Sequence, residues 1–121
     1  MDFDILPYRV RYVFDMPADP DINENTPAKY IITPNTNGGF SLTVWLWEGI
    51  PDDFKYVPFY HELKQAEFEF VKHFSKIEAH EKAIPYHMAY AKKFLSKDKF
   101  TEFLNWQAKL TEYKGRTFAF E

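Results

Sequence analysis

Residues 40–48, FSLTVWLWE, constrain the fold more than any other stretch of the chain. Apolar residues fall at every second position, which is the spacing of a β-strand with one face in the core. That core face carries Phe40, Leu42, Val44 and Leu46. The opposite face carries Ser41, Thr43, Trp45 and Trp47. We therefore expect a central strand whose second face, with two indole rings, is also apolar enough to be covered or to bind a partner.

Length and composition limit the remaining choices. A chain of 121 residues with 45% apolar and 20% aromatic residues has the size and the ring content of one folded domain. It contains no cysteine, which excludes disulfides and thiolate chemistry. The first residues resemble no secretory signal and no apolar run is long enough to cross a bilayer, so the sequence predicts a cytoplasmic protein without a membrane segment.

The hydrophobic spacing predicts a definite order of elements. Strands are expected over residues 5–16, 28–34 and 40–48, a loop over residues 17–27, helices over residues 61–83, 86–95 and 97–113, and a closing strand over residues 116–121. The sequence NTNGG favours an antiparallel hairpin between the second and third strands. Residues 54–60 fit either an edge strand or an extended approach to a helix. Pro85 is expected to end the first helix or to kink it into the next, and Ser96 to cap the last.

This grouping of strands and helices indicates the α+β class rather than a parallel α/β sheet. The predicted architecture is a single domain over residues 1–121, with the order β-β-β-α-α-α-β. It has a mainly antiparallel sheet of about four strands and three helices packed on one face. The stripe expected to be buried on the first helix is Leu63, Ala66, Phe70, Phe74 and Ile77.

The charge is distributed unevenly along the chain. Residues 1–53 carry three basic and nine acidic side chains, whereas residues 54–121 carry twelve and nine. Nucleic-acid binders display a basic stripe, so this balance disfavours that class. Lys92, Lys93, Lys97 and Lys99 form one local basic cluster, which we interpret as a solvated corner between helices. An acidic surface instead suits a protein partner with a basic surface.

The histidines are the side chains best suited to chemistry. Clusters of Glu69, His73 and His80, or of His80, Glu81 and His87, would supply metal-binding groups. However, residues seven apart on a helix lie about 10 Å apart along its axis, too far to share one ion. No G-x-S-x-G elbow and no glycine-rich phosphate loop is present. The sequence therefore predicts no catalytic residue, no metal ligand and no cofactor.

The function predicted from these patterns is that of a small, non-enzymatic, protein-binding module, such as an inhibitor, an immunity partner or an accessory factor. Its predicted binding surface consists of Trp45, Trp47, Glu48, Asp52 and Asp53. A second copy of the chain, forming a homodimer, is another partner that this surface would suit. The alternative is a small-ligand-binding or metal-dependent enzymatic domain, with a pocket between sheet and helices lined by tyrosines and by His61, His73, His80 or His87.

Overall fold

A computed structural model describes the backbone of residues 2–5, 8–13, 22–34, 36 and 40–114, and the side chains of residues 22–34, 36 and 41–114. The predicted closing strand at residues 116–121 and residues 17–21 of the predicted loop lie outside this range. The described strands are β1 (Asp2–Ile5), β2 (Tyr8–Val13), β3 (Ala28–Pro34) and β4 (Phe40–Leu46). They lie in the order β1-β2-β4-β3, so β4 is an inner strand of the sheet.

The predicted hairpin is confirmed. β3 and β4 are antiparallel, with Ala28 opposite Leu46 and Pro34 opposite Phe40. β2 runs antiparallel to β1 but parallel to β4, which makes the sheet mixed. The single first strand predicted over residues 5–16 is wrong, because β1 and β2 are separate strands on either side of residues 6–7.

The helices are α1 (Tyr56–Ala66), α2 (Lys76–Phe94) and α3 (Lys97–Gln107), and a π-helical turn (Glu67–Val71) follows α1 directly. Strands grouped before helices confirm the α+β class. α1 lies against β3 and β4, α2 packs on α1, and α3 packs on α2. Within the described residues, no helix combines the length and the apolar character that a bilayer crossing needs.

The first predicted helix, residues 61–83, is wrong at both ends. α1 begins at Tyr56, inside the segment that the sequence left ambiguous. Pro58 is the third residue of α1, where an N–H has no partner within the helix, so proline is tolerated. The chain then leaves the helix after residue 71, and His73 adopts a left-handed conformation with φ 63°. Ser75 starts α2, because its Oγ accepts a hydrogen bond from the Glu78 N–H at 3.1 Å.

This break changes which residues are buried. Ile77, assigned to the buried stripe, is 79% exposed, and Phe70 is 40% exposed. Pro85 does not end a helix, since it lies in the middle of α2. An internal proline removes one backbone hydrogen bond, but the residues around it pack in the core and hold the helix together. Those residues are Ala79, Ala83, Ile84, Met88 and Ala91.

The core forms where the sheet meets α1 and the later helices. Leu42, Val44 and Leu46 are at most 1% exposed, as the alternation in β4 predicts. Phe103 of α3 is equally buried and belongs to the same cluster as these strand residues. Ser96 caps α3 as predicted, with its Oγ accepting from the Lys99 N–H at 3.2 Å. α3 nevertheless ends at Gln107 rather than at residue 113.

Candidate functional site

Three histidines from two helices meet in the interior. The Nδ1 atoms of His61 on α1 and His87 on α2 lie 2.7 Å apart, and His61 Nε2 lies 3.0 Å from Nδ1 of His80. His61 and His87 are 4% and 2% exposed, whereas His80 lies nearer the surface. The three rings therefore form a continuous row of hydrogen-bonding nitrogens that leads from the core towards solvent. We call these three residues the histidine row.

Two glutamines and one glutamate flank the histidine row. Gln107 of α3 places its Oε1 2.7 Å from His87 Nε2, while its own amide donates to the sulfur of Met88 at 3.4 Å. At the outer end, Oε2 of Glu112 lies 3.6 Å from His80 Nε2, and the Glu112 side chain is 52% exposed. The ring nitrogens at both ends of the row thus face a polar group.

Gln65 lies beside the row, one helical turn after His61. Its Oε1 is 3.2 Å from His61 Nε2 and 3.4 Å from His80 Nδ1. The Gln65 amide oxygen therefore faces the histidines. Nearby, the hydroxyl of Tyr30 donates its proton to Glu69 at 2.6 Å. Burial, together with the carboxylate of Glu69, raises the pKa of Tyr30, so the hydroxyl keeps the proton that it donates.

A cavity of about 30 Å³ adjoins the row. It has room for about two water molecules. Its polar lining includes Glu62, Gln107, Glu112 and Tyr113 beside the rings of His61 and His87. Its apolar lining includes Pro27, Val57, Phe103, Trp106 and Leu110. Because the lining also contains exposed residues such as Asn25 and Glu112, the cavity borders on solvent.

Burial keeps the two inner histidines neutral. It lowers the pKa of His87 to about 4, and the nearby His80 lowers it further, while the bond to Gln107 acts in the opposite direction. The pKa of His61 also lies well below its usual range, first through burial and then through repulsion by His87 and His80. A charged imidazole at either position would lose its hydration without gaining a described carboxylate in contact.

Burial raises the pKa of Glu62, whereas it lowers the pKa of a histidine. The reason is that a carboxyl group becomes charged when it loses its proton, and a histidine when it gains one. The pKa of Glu62 rises to about 8, mainly through burial and secondly through the negative charge of Glu112, although Lys76 lowers it. Glu62 is 8% exposed and lines the cavity. At neutral pH the site therefore presents a protonated carboxyl group, which can both donate and accept a hydrogen bond. Perturbed groups gathered in a cavity are typical of functional sites.

The residues predicted to form a protein-binding surface lie on β4 and in the turn that follows it. Trp45 and Trp47 are both partly buried. Trp45 lies beside Lys29 of β3, whose Nζ is 4.9 Å from the ring, whereas Trp47 packs against the core and covers Gly49. Glu48, Asp52 and Asp53 are exposed. Asp52 lies 3.8 Å from Nζ of Lys55, and Asp53 lies 3.1 Å from Nζ of Lys99.

Neither of the two histidine clusters considered from the sequence forms among the described residues. His73 is exposed and left-handed, separate from the row, and Glu69 bonds Tyr30 instead. The row instead combines His80 and His87 with His61. His80 and His87 are seven residues apart, and therefore share a helix face only if α2 continues through Pro85. The sequence left two outcomes open at Pro85, and only the continuation of the helix places His80 and His87 on one face.

Searches with protein-family models, among curated proteins and among solved structures found no match to this chain.

Proposed function

We propose that this protein binds a small, uncharged polar molecule in the cavity beside the histidine row. The observation that supports this most directly is the lining of that cavity. Hydrogen-bonding groups from α1, α2, α3 and the segment after α3 line it together with apolar side chains. Small-molecule sites commonly have this composition, with a few convergent polar groups set in an apolar wall.

The cost of burying these groups supports a functional origin. His61, Glu62, Gln65, His87 and Gln107 are all less than 9% exposed. Polar groups in a core contribute little to stability compared with apolar residues of the same size. Apolar residues of similar size would fill the same space without needing matched hydrogen-bond partners, so a ligand is the better reason for placing three histidines together.

The charges around the cavity indicate the class of ligand. Among the described residues that line it, two carry carboxyl groups and none is a lysine or an arginine. An anion would therefore meet repulsion rather than a partner. The neutral imidazoles and the protonated Glu62 suit a molecule that exchanges hydrogen bonds without a charge, such as a small carboxamide or alcohol. The volume restricts the buried part of the ligand to a few heavy atoms.

Ligand-observed NMR on the purified chain tests this proposal. The probes are a set of carboxamides, alcohols, amines and carboxylates of at most eight heavy atoms. We expect saturable binding of carboxamides or alcohols to the wild type and to Glu62→Gln, since glutamine keeps a neutral donor and acceptor. We expect loss of binding in Glu62→Leu. Binding of carboxylates alone, or equal binding by Glu62→Leu and the wild type, would contradict the proposal.

A second candidate function is binding of another protein through the outer face of β3 and β4. It is favoured by the incomplete burial of Trp45 and by Ile31 on β3, which is 40% exposed and pairs with Thr43 in the strand register. Aromatic rings on such a face are common anchors at interfaces. The test compares capture of one partner from host lysate by the wild type, by Trp45→Ala and by Ile77→Ala, a change of an exposed residue on α2. Equal capture by all three would rule out this face.

A further inference from the structure

Two ring nitrogens and one amide oxygen converge at the outer part of the histidine row. Nε2 of His61, Nδ1 of His80 and Oε1 of Gln65 lie 3.0, 3.2 and 3.4 Å from one another. All three come from side chains whose positions are fixed by helices α1 and α2. From this triangle we propose that the protein binds one divalent transition-metal ion, coordinated by His61, His80 and Gln65.

The separations match those of ligands around a metal. Bonds of about 2.0–2.1 Å place neighbouring ligand atoms about 2.9 Å apart in an octahedral shell and about 3.4 Å apart in a tetrahedral one. The three observed separations fall between these limits or at them. No three histidine, aspartate or glutamate side chains among the described residues could hold a metal. The third ligand is instead the amide oxygen of a glutamine. A search of the sequence for histidines and carboxylates at metal-binding spacings does not include this residue type.

The hydrogen bonds around the triangle leave its three atoms available as ligands. The Gln65 oxygen faces both imidazoles, at 3.2 Å from His61 Nε2 and 3.4 Å from His80 Nδ1. The Gln107 amide nitrogen is used by Met88, so the Gln107 oxygen accepts from His87 Nε2. His87 Nδ1 must then accept from His61 Nδ1, which leaves a lone pair on His61 Nε2. Two acceptors, His61 Nε2 and Gln65 Oε1, therefore face each other 3.2 Å apart.

A proton or a cation must lie between these two acceptors. A neutral His80 protonated at Nδ1 supplies the proton, but its unprotonated Nε2 then faces the carboxylate of Glu112 at 3.6 Å. With a metal ion on Nδ1, the neutral ring keeps its single proton on Nε2, the nitrogen that faces Glu112. Metal-bound histidines commonly have a carboxylate beside their second ring nitrogen.

The ligand set indicates the class of ion. Two imidazole nitrogens suit Zn²⁺, Co²⁺, Ni²⁺ and Fe²⁺, while an amide oxygen is a harder ligand that these ions also accept. Three protein ligands leave at least one position for water or another molecule, as in catalytic rather than structural sites. The His80 side chain is 18% exposed, which gives an ion a route to the triangle from solvent.

Zn²⁺ titration of the chelator-treated full chain by calorimetry tests this site. We expect one Zn²⁺ per wild-type chain, and a loss of affinity in His80→Gln larger than the about 10–100-fold cost of losing an outer hydrogen-bond partner. Gln65→Met, which keeps the side-chain length but removes the oxygen, should also weaken binding. Glu112→Ala should fall within the about 10–100-fold range. His73→Gln is the matched control and should bind like the wild type.

Circular dichroism establishes that each variant is folded, and Co²⁺ absorption provides a readout of coordination. The wild type should show visible bands that shift in Gln65→Met. Two results would overturn the proposal: no Zn²⁺ binding to the wild type, or equal affinity in the wild type, His80→Gln and Gln65→Met. Either would mean that a proton on His80, and not a metal ion, lies between the three ligand atoms. Since no organic ligand is present, either result is independent of whether the cavity binds a small molecule.

Discussion

Nδ1 of His61 and Nδ1 of His87 lie 2.7 Å apart in the interior of the protein. Two like nitrogens at this distance form a hydrogen bond only if one carries the proton and the other accepts it. The bond between Gln107 and Met88 decides which, because it fixes the Gln107 oxygen against His87 Nε2. The proton of neutral His87 is therefore on Nε2, and that of His61 is on Nδ1.

This assignment predicts the tautomers. In metal-free protein at pH 7.5, long-range ¹H–¹⁵N NMR should show His61 protonated at Nδ1 and His87 at Nε2. In Gln107→Met, which removes the acceptor, His87 should lose its preference for Nε2. If His61 in the wild type is protonated at Nε2 instead, His87 donates the hydrogen bond to His61 and the assignment is wrong.

Acidification should destabilise the metal-free protein through the two inner histidines. Their folded pKa values are lowered, so between the pKa in the folded state and the unfolded value of 6.5 only the unfolded chain binds the protons. Stability therefore falls as pH falls below 6.5. With a folded pKa of about 4, His87 alone accounts for up to about 3 kcal/mol of this loss. Urea denaturation between pH 4 and pH 7 measures it, and a smaller slope is expected in His87→Gln.

Glu62 should produce the opposite dependence. Its folded pKa of about 8 is raised above the unfolded value of 4.5, so the folded state holds a proton that the unfolded state has lost, and stability falls as pH rises from 4.5 to 8. The full cost is about 5 kcal/mol. Together with His61 and His87, this places maximum stability near the histidine reference pKa of about 6.5.

Glu62→Gln tests this directly, because glutamine has nearly the same shape and cannot ionise. We expect the variant to be several kcal/mol more stable than the wild type at pH 8 and to differ by about 1 kcal/mol at pH 5. Glu48→Gln, a change at an exposed side chain outside the cavity lining, is the matched control. An equal effect of Glu62→Gln at both pH values would show that Glu62 is ionised in the folded protein.

The two tryptophans of β4 should differ in their contribution to stability. Trp47 packs against the core and over Gly49, where an added Cβ would lie 2.4 Å from its ring atoms. Trp45 instead lies beside Lys29. We expect Trp47→Ala to lower the free energy of unfolding by about 3 kcal/mol and Trp45→Ala by about 1 kcal/mol or less. Urea denaturation at one pH compares them, and equal losses would mean that Trp45 is also part of the core.

The sequence predicted correctly the features that depend on a few neighbouring residues. Alternation predicted the core face of β4, the Asn-Gly pair predicted the β3–β4 hairpin, and Ser96 predicted the start of α3. The break near His73 was not predicted. At Pro85 the sequence left open an end or a kink of the helix, and α2 continues through it because the residues around it are held in the core. The helical spacing of the predicted buried residues does not continue across the break near His73. For this reason Ile77 is exposed rather than buried.

The candidate site was predicted only as an alternative, a pocket containing histidines. Its composition depends on contacts that no sequence spacing encodes, since His61 and His87 are 26 residues apart and Gln107 belongs to a third helix. Helix geometry relates His80 to His87, but their contact with His61 depends on how α2 packs on α1. The partner atom that fixes the proton positions, the sulfur of Met88, is equally non-local.

The most direct test of the central claim is to locate bound ligand by NMR in the wild-type chain. Titration with the tightest-binding carboxamide or alcohol is followed through the ring signals of the four histidines and the indole N–H signals of Trp45 and Trp106. We predict shifts at His61, His87 and Trp106, which border the cavity, and none at His73 or Trp45. Shifts at Trp45 without shifts at His61 and His87 would contradict the claim. They would show that the ligand binds to the sheet and not in the cavity.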